Sequence, residues 1–429
     1  MRRSFGLSRR AFAGLGLAGL AGLGLGGCGT GAPRGGPSRE VPLWFTYGGR
    51  NREVLEALVA RFNQDPEHTR VRAIYQGDYF EGLAKLRIAL AARAAPALSH
   101  VVGEVVPYLA EAGVLEALDG YAPRDSFDLV PALGQSGTWI GGGERELVTL
   151  PFNRSTPIAY LNAELFERAG LSAPRTWDEL RAVARALTLR RGQRTERYGF
   201  GCPVDWWFWV ALVGQAGGDV VEPDGRVSLG GEAGVRALEL WQTLVRRDRS
   251  MKPPPGRDYN AWEQTNQDFL AGRVAMIWTS TAFLKYLEDN AKFRVLAAPL
   301  PSGVRAAVPT GGTHWVILKD AEASQKRAAF RFLEFMQRER QAVEWATRTG
   351  YIPVTAGAIR SLERRGHYEA HPNERVAIDQ LRVARPWPWS PRLFRVQREV
   401  VQPRLERAVL ADGSAAEMIR EGAELSRRI

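Results

Sequence analysis

Apolar segments with two different periods alternate along the first part of this chain. The segments "VPLWFTY" (41–47) and "VRAIYQG" (71–77) are typical of buried strands, and "NREVLEALVARFNQD" (51–65) between them has apolar residues at helical spacing. A strand, a helix and a second strand within about 35 residues make a βαβ unit, whose parallel strands are covered on both faces. The alternation continues in "YFEGLAKLRIALAARAA" (79–95) and "ALSHVVG" (97–103). It predicts an α/β fold.

A second set of α/β elements extends to residue 305. The segment "PIAYLN" (157–162) predicts a strand, and "AELFERAG" (163–170) predicts a short helix that its final glycine closes. Thr176 and Glu179 have the spacing of a helix capping box. The chain is therefore expected to build one α/β lobe, cross to a second lobe and cross back.

The first 28 residues have the composition of an export signal. Paired arginines in "SRRAFAG" (8–14) precede the apolar "LGLAGLAGLGLGG", which ends at Cys28. This pattern indicates an export signal and not a membrane span. The arginine pair resembles a twin-arginine (Tat) signal, and "LGGC" (25–28) resembles a lipobox, which predicts cleavage before Cys28, acylation of its thiol and a flexible tether over residues 29–40. The alternative is a Sec signal with an incidental arginine pair, from which Cys28 is removed.

Charge and cysteine content argue against several classes of function. The chain has 58 Lys and Arg against 47 Asp and Glu, a formal charge of +11, and cleavage before Cys28 would remove four arginines and leave +7. The positive residues are scattered without a nucleic-acid-binding signature, so their excess favours an anionic ligand or an anionic membrane surface. Once Cys28 is acylated, Cys202 has no disulfide partner. The sequence contains no Cys/His cluster, and we expect neither a metal nor a cofactor.

The segment "DWWFW" (205–209) places three tryptophans in four positions. On a helix, Trp206 and Trp209 share one face and Trp207 points elsewhere. Aromatic faces suit a binding cleft, so we expect Trp206 and Trp209 to line a cleft and Trp207 to pack inside its lobe. The alternative is that all of these rings belong to a core.

Five segments carry a resemblance to a known family. They are "YQGDYFEGL" (75–83), "PFNRSTPIAYLNAELFERAGL" (151–171), "PTGGTHWVI" (309–317), "TGYIPVT" (349–355) and "SPRLFRV" (390–396). Over roughly residues 40–429, the chain resembles the extracellular solute-binding proteins of bacterial ABC importers, the family that includes maltose-binding protein. Within that family it is most similar to the branch that binds sn-glycerol-3-phosphate.

The resemblance implies a two-lobed periplasmic-binding-protein fold. Each lobe would be a sheet covered by helices, with a ligand cleft at the hinge. The N-terminal lobe would take residues 41–150 plus 310–348, and the C-terminal lobe residues 151–309 plus 349–429. About three chain crossings would form the hinge, and a ligand would shift an equilibrium between open and closed lobes.

The resemblance also implies a set of ligand-binding residues, in which Ser280 and Thr281 compete for one position and Gly103 is the ungapped alternative to Glu104. The set is Tyr79, Glu104, Ser155, Trp206, Trp209, Ser280, Thr281, Gly311, Gly312, Tyr351 and Arg392. A glycerol phosphate is an anion that also carries hydroxyl groups. An arginine fork suits its phosphate, glycine backbone amides can approach closely, and tyrosine and serine hydroxyls can bond the diol. Tryptophan rings would form an apolar wall, or hold a choline cation against an indole face.

Three functions remain open from the sequence. The first is the substrate-binding subunit of an ABC importer that captures sn-glycerol-3-phosphate or glycerophosphodiesters such as glycerophosphocholine, and the second is the same class of protein with a sugar or disaccharide as ligand. The third is an exported phosphodiesterase or glycosidase, against which stand only five histidines and no GxSxG motif in the sequence. The first two imply a non-enzymatic, exported monomer. It would be periplasmic or lipid-anchored at the outer face of the cell membrane, with permease subunits as partners and no nucleic acid.

Overall fold

The computed structural model describes residues 40–134, 138–141, 144–253, 258–411 and 413–429. The predicted signal, the lipidation of Cys28 and the tether up to residue 39 lie outside the described residues. Glu40, the last residue of the predicted tether, is the first residue of the first strand.

Strands and helices alternate along the described chain. The strands are Glu40–Phe45 (β1), Arg70–Tyr75 (β2), Leu98–Val102 (β3), Thr138–Gly141 (β4), Glu144–Leu147 (β5), Leu150–Ser155 (β6), Pro157–Asn162 (β7), Leu189–Arg191 (β8), Arg194–Gly201 (β9), Met251–Lys252 (β10), Val274–Ser280 (β11), Val295–Ala298 (β12), Val308–Pro309 (β13), Gly311–Ile317 (β14) and Ala384–Arg385 (β15). The α-helices are Gly49–Phe62 (α1), Tyr79–Ala91 (α2), Val106–Glu111 (α3), Pro131–Gly134 (α4), Ala163–Ala169 (α5), Trp177–Leu187 (α6), Trp206–Gln215 (α7), Glu232–Gln242 (α8), Asp258–Leu270 (α9), Leu284–Asn290 (α10), Ala323–Gln337 (α11), Glu339–Thr349 (α12), Ala356–Arg364 (α13), His367–Ala370 (α14), Pro372–Gln380 (α15), Leu393–Val396 (α16), Gln402–Leu410 (α17) and Ala415–Ser426 (α18). The order β1-α1-β2-α2-β3 confirms the alternation predicted from residues 41–103.

The first sheet has the strand order β2-β1-β3-β14-β6. β1 pairs in parallel with β2 and β3, as a βαβ unit requires. β14 arrives much later in the chain and runs antiparallel to β3 and β6. On α1, Leu55 and Leu58 are fully buried against this sheet, and each contributes about 1.5–3 kcal/mol relative to an exposed side chain.

The second sheet has the strand order β10-β9-β11-β7-β12, with β8 beside β9. Every residue of β7 and β11 is buried, as expected for central strands with helices on both faces. α5 ends, as predicted, at Gly170 with φ +62°. At α6 the predicted capping box is half formed, because Thr176 Oγ1 accepts the Glu179 N–H at 3.2 Å but the Glu179 carboxylate accepts from Arg175.

In the described part of the chain, three crossings join the two sheets: β6 to β7 at Thr156, β12 to β14 over residues 299–310, and α12 to α13 over residues 350–355. The predicted lobe boundary after residue 150 coincides with the start of β6, which still belongs to the first sheet, so the first crossing lies later, at Thr156. At the third crossing the Ile352 N–H donates to Arg154 O at 2.9 Å. The first and third crossings therefore lie side by side.

Each lobe is a sheet covered by helices, which confirms the predicted two-lobed α/β fold. Within the described residues, no helix has the length and apolar character that crossing a membrane requires. The fold places the carboxyl ends of β6 and β11 at the boundary between the lobes. Open α/β sheets bind their ligands at such strand ends.

Candidate functional site

A cavity of about 720 Å³ lies between the two sheets. Its size is within the range of about 300–1,000 Å³ that is usual for small-molecule sites. The first lobe contributes, among others, Tyr47, Tyr79, Glu104, Ser155, Gly311 and Gly312, and the second lobe contributes Asp205, Trp207, Trp262, Ser280, Lys285 and Asp289. Both lobes therefore supply polar and aromatic side chains to one cleft.

Tyr79 reaches the cavity from the first residue of α2. Asp78 caps this helix, since its Oδ1 accepts the N–H groups of Phe80 and Glu81 at 2.8 Å each. The Glu81 carboxylate accepts the Asp78 N–H at 3.3 Å, which completes a capping box. The backbone that carries Tyr79 is thus fixed from both sides.

A chain of buried polar groups lies behind Tyr79. Asn153 Nδ2 donates to the Tyr79 hydroxyl at 3.3 Å, and Asn153 Oδ1 accepts the N–H of Thr313 at 2.7 Å. Thr313 Oγ1 is 3.0 Å from His100 Nδ1, and the Thr46 N–H donates to His100 Nε2 at 2.6 Å. A backbone N–H can only donate, so Nε2 is the acceptor and Nδ1 carries the proton. Burial lowers the pKa of His100 to about 3, which keeps the ring neutral.

Tyr351 lies on the third crossing and also lines the cavity. Its ring stacks on Trp345 with centroids 5.9 Å apart and an interplanar angle of 13°. Burial raises the pKa of its phenol well above the usual range, and the neighbouring Tyr79 hydroxyl adds to that rise. A neutral phenol that both donates and accepts therefore lies at the point where the chain changes lobes.

The second-lobe wall begins at the first turn of α7. Asp205 caps this helix by accepting the Trp207 N–H at 2.9 Å. The Trp207 ring lies 5.3 Å from the ring of Trp262, and its Nε1 donates to Thr310 O at 3.4 Å. An indole of the second lobe is thereby held against the backbone that leads into β14.

The prediction that Trp206 and Trp209 line the cleft is wrong. Both rings are fully buried in the second-lobe core, with centroids 5.5 Å apart. They share one helical face, as their spacing requires, but that face is turned toward Trp387 and Gly234 inside the lobe. Because α7 is apolar on nearly all sides, spacing alone did not indicate which face is covered by the protein. The ring that reaches the cavity is Trp207, which was predicted to pack.

Gly311 and Gly312 both line the cavity, as predicted. A Cβ atom on Gly311 would lie 2.7 Å from the Trp207 ring, so this glycine leaves room for the indole. Gly312 has φ +95°, and a Cβ atom there would lie 1.8 Å from Asn153 O. Each glycine is therefore required by a neighbouring group of the protein itself.

The structure separates Ser280 from Thr281. Ser280 ends β11 and lines the cavity. Thr281 faces the first crossing, where its N–H donates to Thr156 O at 3.1 Å and its Oγ1 accepts the Thr156 N–H at 3.3 Å. The predicted hydroxyl at the cavity is therefore that of Ser280, and Thr281 stabilises the crossing.

The cavity carries charges of both signs. The pKa of Glu104 is raised to about 7, because burial, with a smaller contribution from Asp205, outweighs the lowering effects of its own backbone N–H and of Arg154. At the cavity mouth, Arg50 Nη1 and Asp289 Oδ2 form an ion pair of 2.9 Å that connects α1 with α10. Lys285 lines the same space and pairs with Glu374 at 2.6 Å.

Arg392 does not line the cavity; it lies at the start of α16 with an exposed side chain. In the described residues, the cavity includes seven of the eleven predicted ligand residues, namely Tyr79, Glu104, Ser155, Ser280, Gly311, Gly312 and Tyr351. Whether these seven contact a ligand remains a prediction.

Several cavity residues were missed by the sequence reasoning. Arg50 and Lys285 are single cations among many in the sequence, and Trp262 stands alone on α9 without a motif. Asp205 carried a usable signal, since an Asp that precedes an apolar helix is a typical N-cap. A capping residue lies at a helix start, and the start of α7 faces the cavity.

Two relatives by sequence align over most of this chain. The sn-glycerol-3-phosphate-binding periplasmic protein UgpB of Pectobacterium atrosepticum is 25% identical over 369 residues, covering 82% of this chain and 81% of that protein. The protein of the same name from Yersinia pestis bv. Antiqua is 26% identical over 370 residues, covering 82% of each chain.

Solved structures show the same fold. UgpB from Mycobacterium tuberculosis, in complex with glycerophosphocholine, superposes with a TM-score of 0.78 at 24% identity and covers 90% of this chain and 98% of its own. Maltose-bound MalE3 of T. maritima superposes with a TM-score of 0.78 at 21% identity and covers 91% of this chain and 99% of its own. At these identities the structures establish the fold, and their ligands are those of the neighbours.

The sequence profile described as bacterial extracellular solute-binding protein matches residues 57–372, which is more than half of the chain. This segment includes both sheets apart from β1 and all three crossings between them. The chain belongs to the bacterial extracellular solute-binding protein family, and it is the substrate-binding component of an ABC importer.

Proposed function

We propose that the ligand of this binding protein is sn-glycerol-3-phosphate or a glycerophosphodiester such as glycerophosphocholine. The observation that carries the proposal is the cavity between the lobes, which combines hydroxyl groups, aromatic rings and cations around about 720 Å³. A glycerol phosphate needs each of these: donors for its phosphate oxygens, partners for its hydroxyls and an apolar wall for its carbon chain.

The hydroxyls of Tyr79, Ser155 and Ser280 can donate to phosphate oxygens or exchange hydrogen bonds with the diol. Arg50 and Lys285 also line the cavity, and because Arg50 pairs with Asp289 and Lys285 with Glu374, a phosphate would share these cations with the two carboxylates. We retain Arg392 as a phosphate partner, although its guanidinium must move inward from α16, whose Phe394 already lines the cavity. The faces of Trp207 and Trp262 suit the carbon chain, and in a diester they suit a quaternary ammonium group.

The relatives by sequence support this choice of ligand, because the UgpB proteins named above bind sn-glycerol-3-phosphate and align over 82% of this chain. Their identity of about 25% supports the class of protein more strongly than the individual ligand. A neutral sugar is the second candidate, since the paired rings of Trp207 and Trp262 also suit the faces of a sugar.

We also propose where the protein is located and which subunits it serves. The chain is exported, by the Tat or the Sec route, acylated at Cys28 and tethered at the outer face of the cell membrane. It is a monomer that delivers its ligand to permease subunits. It releases each ligand unchanged, so incubation with a glycerophosphodiester should give no product.

The test is calorimetry of the mature chain with sn-glycerol-3-phosphate, glycerophosphocholine and maltose, together with thermal unfolding in the presence of each ligand. We expect saturable binding of a glycerophosphate ligand and none of maltose. Arg392→Ala should weaken phosphate binding by at least about tenfold, while Arg338→Ala, a surface arginine outside the cavity, should not. Binding of maltose alone would replace this proposal by the sugar candidate, and a hydrolysed diester would indicate an enzyme.

A further inference from the structure

Arg154 lies near the end of β6, directly before the cavity residue Ser155, and is fully buried. Its Nη2 donates to Thr310 Oγ1 at 2.8 Å, whereas its Nε and Nη1 have no hydrogen-bond partner. Nη1 lies below Gly103, where a Cβ atom would be 3.3 Å away. Buried guanidinium groups are ordinarily paired, because burial of an unpaired charge is costly. Two guanidinium nitrogen atoms without hydrogen-bond partners beneath a ligand cavity therefore need an explanation.

Two neighbouring groups act to raise the pKa of Arg154, first the Glu104 carboxylate and then the Tyr79 hydroxyl. Among the ion pairs of the described residues, none joins Glu104 to Arg154. Burial lowers the pKa of Arg154 to about 10, so the guanidinium stays charged at neutral pH. Burial raises the pKa of Glu104 to about 7, a value that includes a smaller rise from Asp205 on the opposite wall, so the carboxylate is only partly ionised at neutral pH. Burial, followed by Arg154, holds the pKa of His314 well below its usual range, and this ring adds no charge.

We propose that Arg154 is a specificity-determining residue of the cleft: its incompletely paired guanidinium supplies the positive potential that favours an anionic ligand over a neutral one. The inference rests on the proposed function for the identity of the anion. Arg154 cannot touch the ligand, since none of its surface reaches the cavity. It acts through the backbone at Gly103, in a region of low dielectric where charge interactions are screened much less than in water.

This role predicts opposite effects on stability and on binding. Replacing a buried, poorly paired charge by an apolar side chain of similar volume is often neutral or stabilising. Arg154→Met should therefore leave the melting temperature unchanged or raise it, while it weakens binding of the anion. A residue that served only the fold would show the reverse.

The experiment compares sn-glycerol-3-phosphate, which carries a charge of about −1.5 to −2 near pH 7, with glycerophosphocholine, which has no net charge. We expect Arg154→Met to weaken binding of sn-glycerol-3-phosphate by at least about tenfold, and binding of glycerophosphocholine by less than about threefold. Arg154→Lys, which keeps the charge, should stay within about threefold of the wild type for both ligands. An equal loss for both ligands in Arg154→Met, or no loss for either, would overturn the inference.

A second measurement needs no ligand and separates this inference from the proposed function. The titration of Glu104 can be followed by carbon NMR of labelled glutamate carboxyls and identified by the signal that Glu104→Gln removes. Since the charge of Arg154 favours the ionised carboxylate, Arg154→Met should move this titration to higher pH. If the wild type binds neither glycerophosphate, the proposed function fails. This titration still shows whether the charge of Arg154 acts on Glu104 in the cavity. An unchanged titration would contradict the coupling.

Discussion

Trp207 and Trp209 lie two positions apart on α7, and their rings face different surroundings. Helical spacing correctly predicted that Trp206 and Trp209 share a face, but it assigned that face to the wrong side. The sequence did not indicate which face of α7 borders the cavity, since the opposite face is apolar as well. The cap residue Asp205 and the space left by Gly311 bring Trp207 to the cavity. Gly311 lies more than 100 residues further along the chain.

Replacement of Trp207 and of Trp209 should therefore have different consequences. Trp209→Ala removes a fully buried ring and should lower the free energy of unfolding by about 3–5 kcal/mol, while the folded protein keeps its ligand affinity. Trp207→Ala should weaken ligand binding by about 0.5–1.5 kcal/mol beyond the loss of buried area. Urea unfolding and calorimetry of both variants test this. A Trp209→Ala protein that is stable but cannot bind would restore the original assignment.

Because of His100, the stability of the fold should decrease as the pH falls. The pKa of this histidine is lowered from 6.5 to about 3 in the folded chain by burial. Its stabilising contribution is thus complete above pH 6.5 and is lost as the pH falls toward 3, because the unfolded chain takes up the proton first. Protonation would also turn Nε2 into a donor facing the Thr46 N–H.

We expect the free energy of unfolding of the wild type to fall by about 2 kcal/mol between pH 7 and pH 5 because of this residue, at 1.36 kcal/mol per pKa unit. His100→Gln should be less stable than the wild type at pH 7, and the gap should narrow by about that amount at pH 5. Urea unfolding at both pH values measures the gap. A gap that does not change with pH would show that His100 titrates normally. The buried His314 contributes in the same direction in both proteins and cancels in the comparison.

At the scale of single elements, the sequence was most informative where contacts are local. The parallel half of the first sheet, the end of α5 at Gly170 and the cap at Thr176 depend on neighbouring residues, and all three were predicted. The antiparallel insertion of β14 between β3 and β6 depends on pairing across more than 150 residues. No local pattern encodes such pairing, so only the family resemblance placed β14 at the cleft.

The start of β14 depends on Gly312 more strictly than on Gly311. Gly312→Ala would combine a positive φ of +95° with a Cβ atom 1.8 Å from Asn153 O, which no side-chain rotation relieves. We expect a loss of at least about 2 kcal/mol in the free energy of unfolding. Gly120→Ala is the control, because a Cβ atom there meets nothing within 4 Å. Equal urea midpoints for both variants would show that the strand start can shift.

At the scale of the whole molecule, the two lobes are joined at the cavity mouth by charge. Arg50 and Asp289 pair at 2.9 Å although 239 residues separate them, and their side chains are 57% and 58% exposed. An exposed pair of this kind contributes about 0–1 kcal/mol and weakens with added salt. Sequence reasoning could not find it, because its two members belong to different lobes and neither lies in a motif.

Asp289→Asn removes the negative charge of this ion pair and leaves Arg50 in place. We expect the ligand-free chain to shift toward wider separation of the lobes, by up to about 1 kcal/mol or roughly fivefold in population. Small-angle X-ray scattering should show a larger radius of gyration for the variant at low ionic strength, and the difference should vanish in about 1 M salt. Asp224→Asn, at an exposed acid away from the cavity, serves as the control. Identical radii at low salt would mean that the pair does not influence lobe separation.

The contact of Trp207 with the backbone at Gly311 and Thr310 gives this protein its own optical reporter. The sequence holds 13 tryptophans, and several of the largest fully buried side chains are indoles shielded from solvent changes. Trp207, like Trp262, is different, because its ring borders the cavity, and its Nε1 also donates to Thr310 O on the second crossing. Ligand entry replaces water beside this indole, so intrinsic fluorescence should change in wavelength or intensity with each binding event. The change should be smaller in Trp207→Phe, which keeps only Trp262 at the cavity, and unaltered in Trp241→Phe, so capture and release could be followed in real time without a label.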